Sequence, residues 1–240
     1  MEATHDFVCA YKPNAAFYEA HGAEGIAALW RTIADIHVIA PDVPVILDAK
    51  RADIGNTNAG YVEAAFEYLR VDAITVHPYL GAEALQPFLE RKDKGIFVLC
   101  RTSNPGAGEF QDMDVSGDMV PGDYMPLYKY VAHRVANYWN KNGNCGLVVG
   151  ANYPKELEEV RRERARDMPI LIPAVGFQQK DVPLEKQVEQ VVSGGSYTRD
   201  DPRIIVSSSR GIIFASNSAD FADAAHRETL KLHDLITQYR

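Results

Sequence analysis

The sequence lacks any long hydrophobic run, since no apolar stretch approaches the roughly 18 residues that a membrane-spanning helix requires. The N-terminus also lacks a charged region followed by a hydrophobic stretch, which is the pattern of a secretory signal. We therefore expect a soluble protein that is not exported and that does not bind a membrane.

Cysteine is scarce, with three residues in a chain of 240. Cys9, Cys100 and Cys145 lie in or beside apolar runs. An odd, sparse set of this kind argues against a disulfide framework. It predicts reduced thiols in the core of a cytoplasmic protein.

Positive charge is in deficit, because 25 lysine and arginine residues face 33 aspartate and glutamate residues and give a formal net charge of −8. This balance argues against broad binding to nucleic acid or to an anionic membrane. The seven histidines are dispersed. None stands at the His-x-His or His-x₃-His spacing of metal ligands, so we predict no catalytic metal.

What the sequence does contain is a regular alternation of strand and helix patterns. Hydrophobic residues make up 46% of the chain and charged residues 24%, which allows a sizeable core and argues against disorder. Strand patterns occupy residues 7–11, 43–47, 72–77, 95–100, 146–149, 170–175 and 204–207. Helix patterns occupy residues 15–39 with a break near 21–22, 57–69, 82–91, 124–140, 154–164, 183–193 and 220–239.

Short links between alternating elements call for parallel strands with right-handed crossovers. A length of 240 residues is normal for a single α/β barrel. We therefore predict an α/β fold, a TIM (β/α)₈-type barrel with seven recognisable strands, in one domain over residues 1–240.

The most informative stretch follows the strand at residues 43–47, where the chain turns from apolar to charged. Asp48 and Lys50 stand two apart and are expected to point the same way, and Asp53 follows as the strand gives way to a turn at Gly55. Two acids bracketing an ammonium fit either a local ion pair at a solvated strand end or a catalytic charge array.

Asp48-x-Lys50-x-x-Asp53 followed by Ile54-Gly55-Asn56-Thr57 resembles the signature of the orotidine 5'-phosphate decarboxylase family, and more closely its bacterial branch that reads DAKR-DIGNT. The likeness extends from about residue 7 to the C-terminus. It includes Ala10-Tyr11-Lys12-Pro13-Asn14, Arg101-Thr102-Ser103-Asn104-Pro105-Gly106, Val175-Gly176-Phe177-Gln178 and Ser208-Ser209-Arg210-Gly211. Several motifs in the right order are much more specific than one short match.

The resemblance implies decarboxylation of orotidine 5'-phosphate to UMP and CO₂ in pyrimidine biosynthesis, without a cofactor. Lys50 would stabilise the carbanion at C6 of the orotate ring and then deliver a proton to it. Asp48 would lie near the departing carboxylate. Lys12 and Asp53 would complete an alternating network that keeps Lys50 charged and oriented.

The resemblance also implies a homodimer with shared active sites, in which Asp53 and Thr57 reach into the site of the neighbouring subunit. Thr57 fits the N-cap of a helix equally well, and both roles can hold together.

For the substrate, the resemblance assigns Ser103 to the pyrimidine amide edge, although a turn serine before Asn-Pro is the simpler interpretation. Gln178 would bridge the phosphate and the ring. Arg210 and Gly211 would bind the phosphate, because arginine offers a planar fork of donors and glycine lets backbone N–H groups approach.

Two alternatives remain open. One is a related sugar-phosphate decarboxylase of the same superfamily, which uses a similar Asp-x-Lys-x-x-Asp array with magnesium. The other is a non-catalytic nucleotide-binding remnant. This second alternative arises because the family's first strand, which ends in an acid that contacts the ribose, has no counterpart here. We expect that the sequence starts late.

Overall fold

A computed structural model describes residues 1–116, 124–176, 179 and 181–240. The strands are β1 (Ile46–Arg51), β2 (Ala73–Val76), β3 (Gly95–Arg101), β4 (Asp114–Ser116), β5 (Tyr124–Pro126), β6 (Cys145–Val149), β7 (Ile170–Pro173) and β8 (Ile204–Ser207). The α-helices are α1 (Ala15–Glu19), α2 (Gly22–Ile39), α3 (Gly55–Val62), α4 (Gly81–Leu89), α5 (Gly108–Gln111), α6 (Leu127–Arg134), α7 (Pro154–Glu163), α8 (Leu184–Gly195), α9 (Arg210–Ile213) and α10 (Phe221–Tyr239).

The chain divides into two compact units, the first formed by residues 1–97 and 210–234 and the second by residues 98–209 and 235–240. Strand β3 and helix α10 each contribute residues to both units. The single domain over residues 1–240 stays a prediction.

In the first unit, β1 and β2 form a parallel pair with Ile46 opposite Ala73 and Leu47 opposite Ile74. All four residues of β2 are buried, including Thr75 in an otherwise apolar pattern. The chain then enters β3, where the backbone N–H of Gly95 donates to the carbonyl of Asp72 at 2.9 Å. The strand order of this unit is β1-β2-β3.

In the second unit, the parallel order is β3-β6-β7-β8. Ile170 of β7 lies opposite both Leu147 of β6 and Ile204 of β8. Every residue of β6 is buried, which makes this strand the centre of the unit's core. Parallel strands joined through helices confirm the predicted α/β class.

The predicted strand at residues 7–11 takes a different form. His5–Phe7 is a short 3₁₀ helix, and only isolated parallel bridges join Tyr11 to Val45 and Asn14 to Asp48. Proline at position 13 has no N–H to donate, so a continuous ladder cannot form there. Among the described residues, the parallel sheet therefore contains six assigned strands and not seven.

The N-terminal segment packs instead against the last helix of the same unit. The Phe7 ring lies edge-on to the imidazoles of His226 and His233, with centroids 5.2 and 5.9 Å away. His226 Nδ1 is 2.8 Å from the carbonyl oxygen of Ala3. These contacts draw the segment toward α10.

The helix predicted for residues 124–140 begins three residues late. Residues 124–126 form β5, which pairs antiparallel with β4, and α6 then continues as a π-helical turn, Val135–Trp139. Three residues of strand leave too little periodicity to separate them from the helix that follows.

The cysteines follow the prediction in two of three cases. Cys100 and Cys145 are buried, and burial raises the pKa of each thiol to about 12. Cys9 is exposed, which contradicts its assignment to the core. Within the described ranges, no helix is both long enough and apolar enough to cross a membrane.

Candidate active site

The carboxyl end of β1 is a bulge. Pairing with β2 runs regularly to Leu47 and resumes only at Arg51, which lies opposite Val76. Asp48, Ala49 and Lys50 on β1 therefore face a single residue of β2. Lys50 has a φ of 50°, in the left-handed region that non-glycine residues rarely adopt. Strand alternation, on which the prediction for Asp48 and Lys50 relied, is broken here.

The side chains of Asp48 and Lys50 nevertheless meet. Lys50 Nζ donates to Asp48 Oδ1 at 2.5 Å, and Lys12 Nζ donates to Asp48 Oδ2 at 2.9 Å. The Lys12 and Asp48 side chains are 12% exposed, whereas that of Lys50 is 50% exposed. One carboxylate is thus held on both oxygens by ammonium groups, and the ammonium of Lys50 remains accessible from outside.

The pKa of Asp48 lies below its ordinary value. Burial acts to raise this pKa, but the charge of Lys12 and the hydrogen bond from Lys50 outweigh burial. Asp48 is therefore ionised at neutral pH.

Thr75 also belongs to this array, although no sequence motif marks it. Its Oγ1 accepts the backbone N–H groups of Ala49 and Lys50, each at 3.0 Å, and donates to Asp48 Oδ1 at 3.1 Å. The residue is 1% exposed. The available signal was a hydroxyl in an otherwise apolar strand pattern that follows the Asp48 strand in the chain.

Asp53 does not join the array within one chain. Among the described residues, no ion pair is found between its carboxylate and Lys12 or Lys50. Its Oδ1 accepts the N–H of Ile54 at 2.7 Å, while its backbone N–H donates to the buried side chain of Asn58 at 2.8 Å. The turn therefore holds Asp53 by its backbone and by one carboxylate oxygen.

Thr57 lies in the first turn of α3 with its side chain exposed. The N-cap position is occupied by Ile54, which has no side-chain oxygen. The interpretation of Thr57 as the N-cap residue is therefore wrong. The role of Thr57 at the site of a neighbouring subunit stays a prediction.

In the second unit, Ser103 follows the carboxyl end of β3. The carbonyl of Ser103 accepts a hydrogen bond from Asn152 Nδ2 at 3.1 Å. A Cβ on Gly150 would lie 2.7 Å from Ser103 Cβ, so only glycine fits beside this serine. The strand end and the loop after β6 are packed tightly together.

Hydrogen bonds and an ion pair hold residues 101 and 102, which directly precede Ser103. The backbone N–H of Thr102 donates to Gln111 Oε1 at 2.8 Å. Buried Arg101 pairs with Asp112 at 3.0 Å and stacks on the ring of Tyr153, 3.8 Å from its centroid. These supports leave no local pattern in the sequence, because each joins residues that are separated along the chain.

The residues expected at the phosphate are placed as follows. Arg210 and Gly211 are exposed and open the short helix α9, three and four residues beyond the end of β8. Gln178 lies outside the described residues. Two described residues near it in the chain are bonded by the side chain of Gln187, which accepts from the N–H of Gly176 at 2.9 Å and donates to the carbonyl of Gln179 at 2.9 Å.

Across the ranges that the structure covers, no group of three or more histidine, cysteine, aspartate or glutamate side chains is arranged to hold a metal ion.

Parallel strands alternating with helices, with charged groups at the carboxyl end of a strand, are typical of α/β enzymes. A model of the orotidine 5'-phosphate decarboxylase / HUMPS family matches residues 1–225. The chain belongs to this family.

Several named proteins are similar to the chain. The orotidine 5'-phosphate decarboxylase of Roseiflexus castenholzii is 48% identical over 236 residues, which cover 98% of this chain and 80% of that relative. The one from Ralstonia pickettii is 45% identical over 240 residues, covering 100% and 82%. The structure of Leishmania donovani OMP decarboxylase matches with a TM-score of 0.79 at 37% identity, covering 98% and 84%. The chain is therefore an enzyme of the orotidine 5'-phosphate decarboxylase type.

Proposed function

We propose that this chain decarboxylates orotidine 5'-phosphate to UMP and CO₂ in de novo pyrimidine biosynthesis, without a cofactor. The observation that carries the proposal is the Asp48 carboxylate held between the ammonium groups of Lys12 and Lys50. Relatives named for this activity at 45–48% identity over nearly the whole chain support it.

The array suits a reaction that leaves an electron pair on carbon without an electron sink. As the carbon–carbon bond breaks, CO₂ departs and the pair stays on C6 of the ring. The ammonium of Lys50 stabilises this charge by electrostatic attraction, and its proton then moves to C6. Lys50 is half exposed, so a substrate can reach it.

Asp48 acts on the departing group. Two like charges about 4 Å apart repel by on the order of 4 kcal/mol at an effective dielectric constant near 20. The repulsion between Asp48 and the substrate carboxylate is relieved as CO₂ leaves. Since Lys12 and Lys50 keep Asp48 ionised, this repulsion is present at neutral pH.

The remaining binding groups complete the proposal. Ser103 contacts the pyrimidine amide edge, Gln178 bridges the ring and the phosphate, and Arg210 with Gly211 binds the phosphate. We further propose a cytoplasmic homodimer that binds no nucleic acid. The dimer accounts for Asp53, because its carboxylate pairs with neither lysine of the array in its own chain and would enter the partner's site.

The test is an assay of orotidine 5'-phosphate decarboxylation by the purified chain. The loss of ultraviolet absorbance monitors the reaction. Lys50→Ala should lower kcat by several orders of magnitude while the protein stays folded, because a preorganised charge acts on the chemical step. Lys141→Ala, a change at an exposed lysine of the second unit, should leave kcat unchanged. Near-normal kcat in Lys50→Ala would refute the role of Lys50.

The same assay separates the two alternatives. A magnesium-dependent sugar-phosphate decarboxylase would lose activity in a strong chelator, whereas we expect turnover of orotidine 5'-phosphate to survive. A nucleotide-binding remnant would bind UMP without any turnover of orotidine 5'-phosphate.

A further inference from the structure

The bulge at the end of β1 lacks the ladder partners that a regular parallel pair would supply. Between Leu47 and Arg51, three residues of β1 face one residue of β2. The N–H groups of Ala49 and Lys50 therefore need acceptors other than strand carbonyls, because a buried N–H without a partner is unfavourable.

Thr75 supplies these acceptors with its side chain. A hydroxyl offers one donor and two acceptor positions. In this structure both acceptor positions take backbone N–H groups, from Ala49 and Lys50 at 3.0 Å each, and the donor goes to Asp48 Oδ1 at 3.1 Å. The buried hydroxyl of Thr75 thus uses its one donor and both acceptor positions in hydrogen bonds with the consecutive residues 48–50.

The three hydrogen bonds of Thr75 constrain the backbone conformation that brings the Lys50 ammonium next to the Asp48 carboxylate. Lys50 occupies the left-handed region, which a residue with a Cβ holds only where its surroundings enforce it. The bond to the N–H of Lys50 fixes that conformation, and the bond to Asp48 fixes the carboxylate that Lys50 contacts at 2.5 Å.

We propose that Thr75 is a positioning residue for the reaction, whose hydroxyl holds the bulge of β1 so that the Lys50 ammonium is presented beside Asp48. Thr75 acts through Lys50 and Asp48 and does not itself touch the substrate. The kinetic part of this proposal rests on the proposed function, and the structural part does not.

The kinetic test compares Thr75→Val, which keeps the shape but removes the hydroxyl, with Thr75→Ser, which keeps the hydroxyl. Thr75→Val should lower kcat about 100-fold, because a displacement near 1 Å at the reacting group has an effect of this size. KM for orotidine 5'-phosphate should change less than about threefold, since the phosphate and ring contacts are untouched. Thr75→Ser should keep kcat within about threefold of the wild type.

Thr229→Val is the matched control. Thr229 is 4% exposed, and its hydroxyl donates to the carbonyl of Ala225 within α10 at 2.7 Å. The same chemical change at this site should lower the melting temperature without lowering kcat. If Thr229→Val loses as much kcat as Thr75→Val, or if Thr75→Ser fails to restore kcat, the effect is general destabilisation and the proposal is wrong.

Crystal structures of the two Thr75 variants give a readout that is independent of turnover. Lys50 should keep its left-handed φ in Thr75→Ser and leave it in Thr75→Val, with the Lys50–Asp48 contact lengthened. An unchanged bulge in Thr75→Val would overturn the proposal even if the wild type decarboxylates orotidine 5'-phosphate. A wild type without turnover refutes the proposed function alone. Thr75→Ala replaces Thr75→Val if the latter does not fold.

Discussion

At the scale of single residues, Asp48 is the centre of the candidate site. Its two oxygens accept hydrogen bonds from Lys12, Lys50 and Thr75, and its side chain is 12% exposed. A buried carboxylate is stable only when it is paired and hydrogen-bonded in this way. The same groups that keep Asp48 ionised therefore also stabilise the fold.

Replacing Asp48 with asparagine should reveal this coupling as a function of pH. Because the folded protein holds the pKa of Asp48 below its ordinary value, the unfolded chain binds more protons in acid, and stability rises with pH there. Near neutral pH, Asp48→Asn should lower the free energy of unfolding by about 1–3 kcal/mol. The difference from the wild type should shrink as the pH falls below the ordinary aspartate pKa of about 3.9.

Urea unfolding at a series of pH values measures both free energies. The control is Asp42→Asn, the same change at an exposed aspartate of the same unit. The free energy of unfolding of Asp48→Asn could instead lie below that of the wild type by the same amount at neutral and acidic pH. This result would contradict the assignment of the stabilisation to the ionised carboxylate.

At the scale of secondary-structure elements, one arginine of α7 connects several elements of the second unit. Arg161 is fully buried and donates to the carbonyls of Ala165 at 2.6 Å, Met168 at 2.7 Å and Arg203 at 2.9 Å, and to that of Gly195. Burial lowers its pKa to about 10. The end of α8, the approach to β7 and the approach to β8 therefore share one donor group.

Arg161→Met should lower the free energy of unfolding by on the order of 3 kcal/mol or more, because several buried carbonyls lose their donor at once. Arg162→Met is the matched control at the next position. Arg162 is 61% exposed and pairs with Glu158 on the same helix face, so its loss should change stability by less than about 1 kcal/mol. Chemical denaturation measures both variants, and equal effects would contradict the role given to Arg161.

At the scale of the whole molecule, the proposed dimer assigns residues of one chain to two different sites. Asp53 would serve the partner's site, whereas Arg210 would serve its own. The inactive variants Asp53→Ala and Arg210→Ala should therefore complement each other when they are mixed. Random exchange makes half of the dimers mixed, each with one complete site, so about a quarter of wild-type activity should return.

The pair Asp48→Ala and Lys50→Ala provides the control, because both residues contribute to the same site and mixing them completes none. Subunit exchange is verified by tagging one variant and recovering the mixed dimer. Verified exchange without any return of activity for Asp53→Ala and Arg210→Ala would rule out a shared site.

Much of the fold was predictable because burial leaves a periodic pattern in the sequence. The β6 run is apolar throughout and β2 is apolar apart from Thr75, and both strands are buried throughout. The break of the first long helix near residues 21–22 is also confirmed, with α1 ending at Glu19 and α2 beginning at Gly22. Residues 7–11 are apolar enough to predict a strand, but they do not form one. The contacts of Phe7 with α10 compete with extension of the sheet.

The sequence by itself determined which residues carry the charges of the candidate site, since Asp48 and Lys50 follow an apolar strand pattern and Lys12 follows the apolar run at residues 7–11. Tertiary structure alone decided how they meet. The left-handed Lys50 depends on a hydroxyl 25 residues away in the chain, and the placement of three elements depends on Arg161, up to 42 residues from its acceptors. Local periodicity reports burial and backbone shape, but it holds no information about which distant atom completes a hydrogen bond.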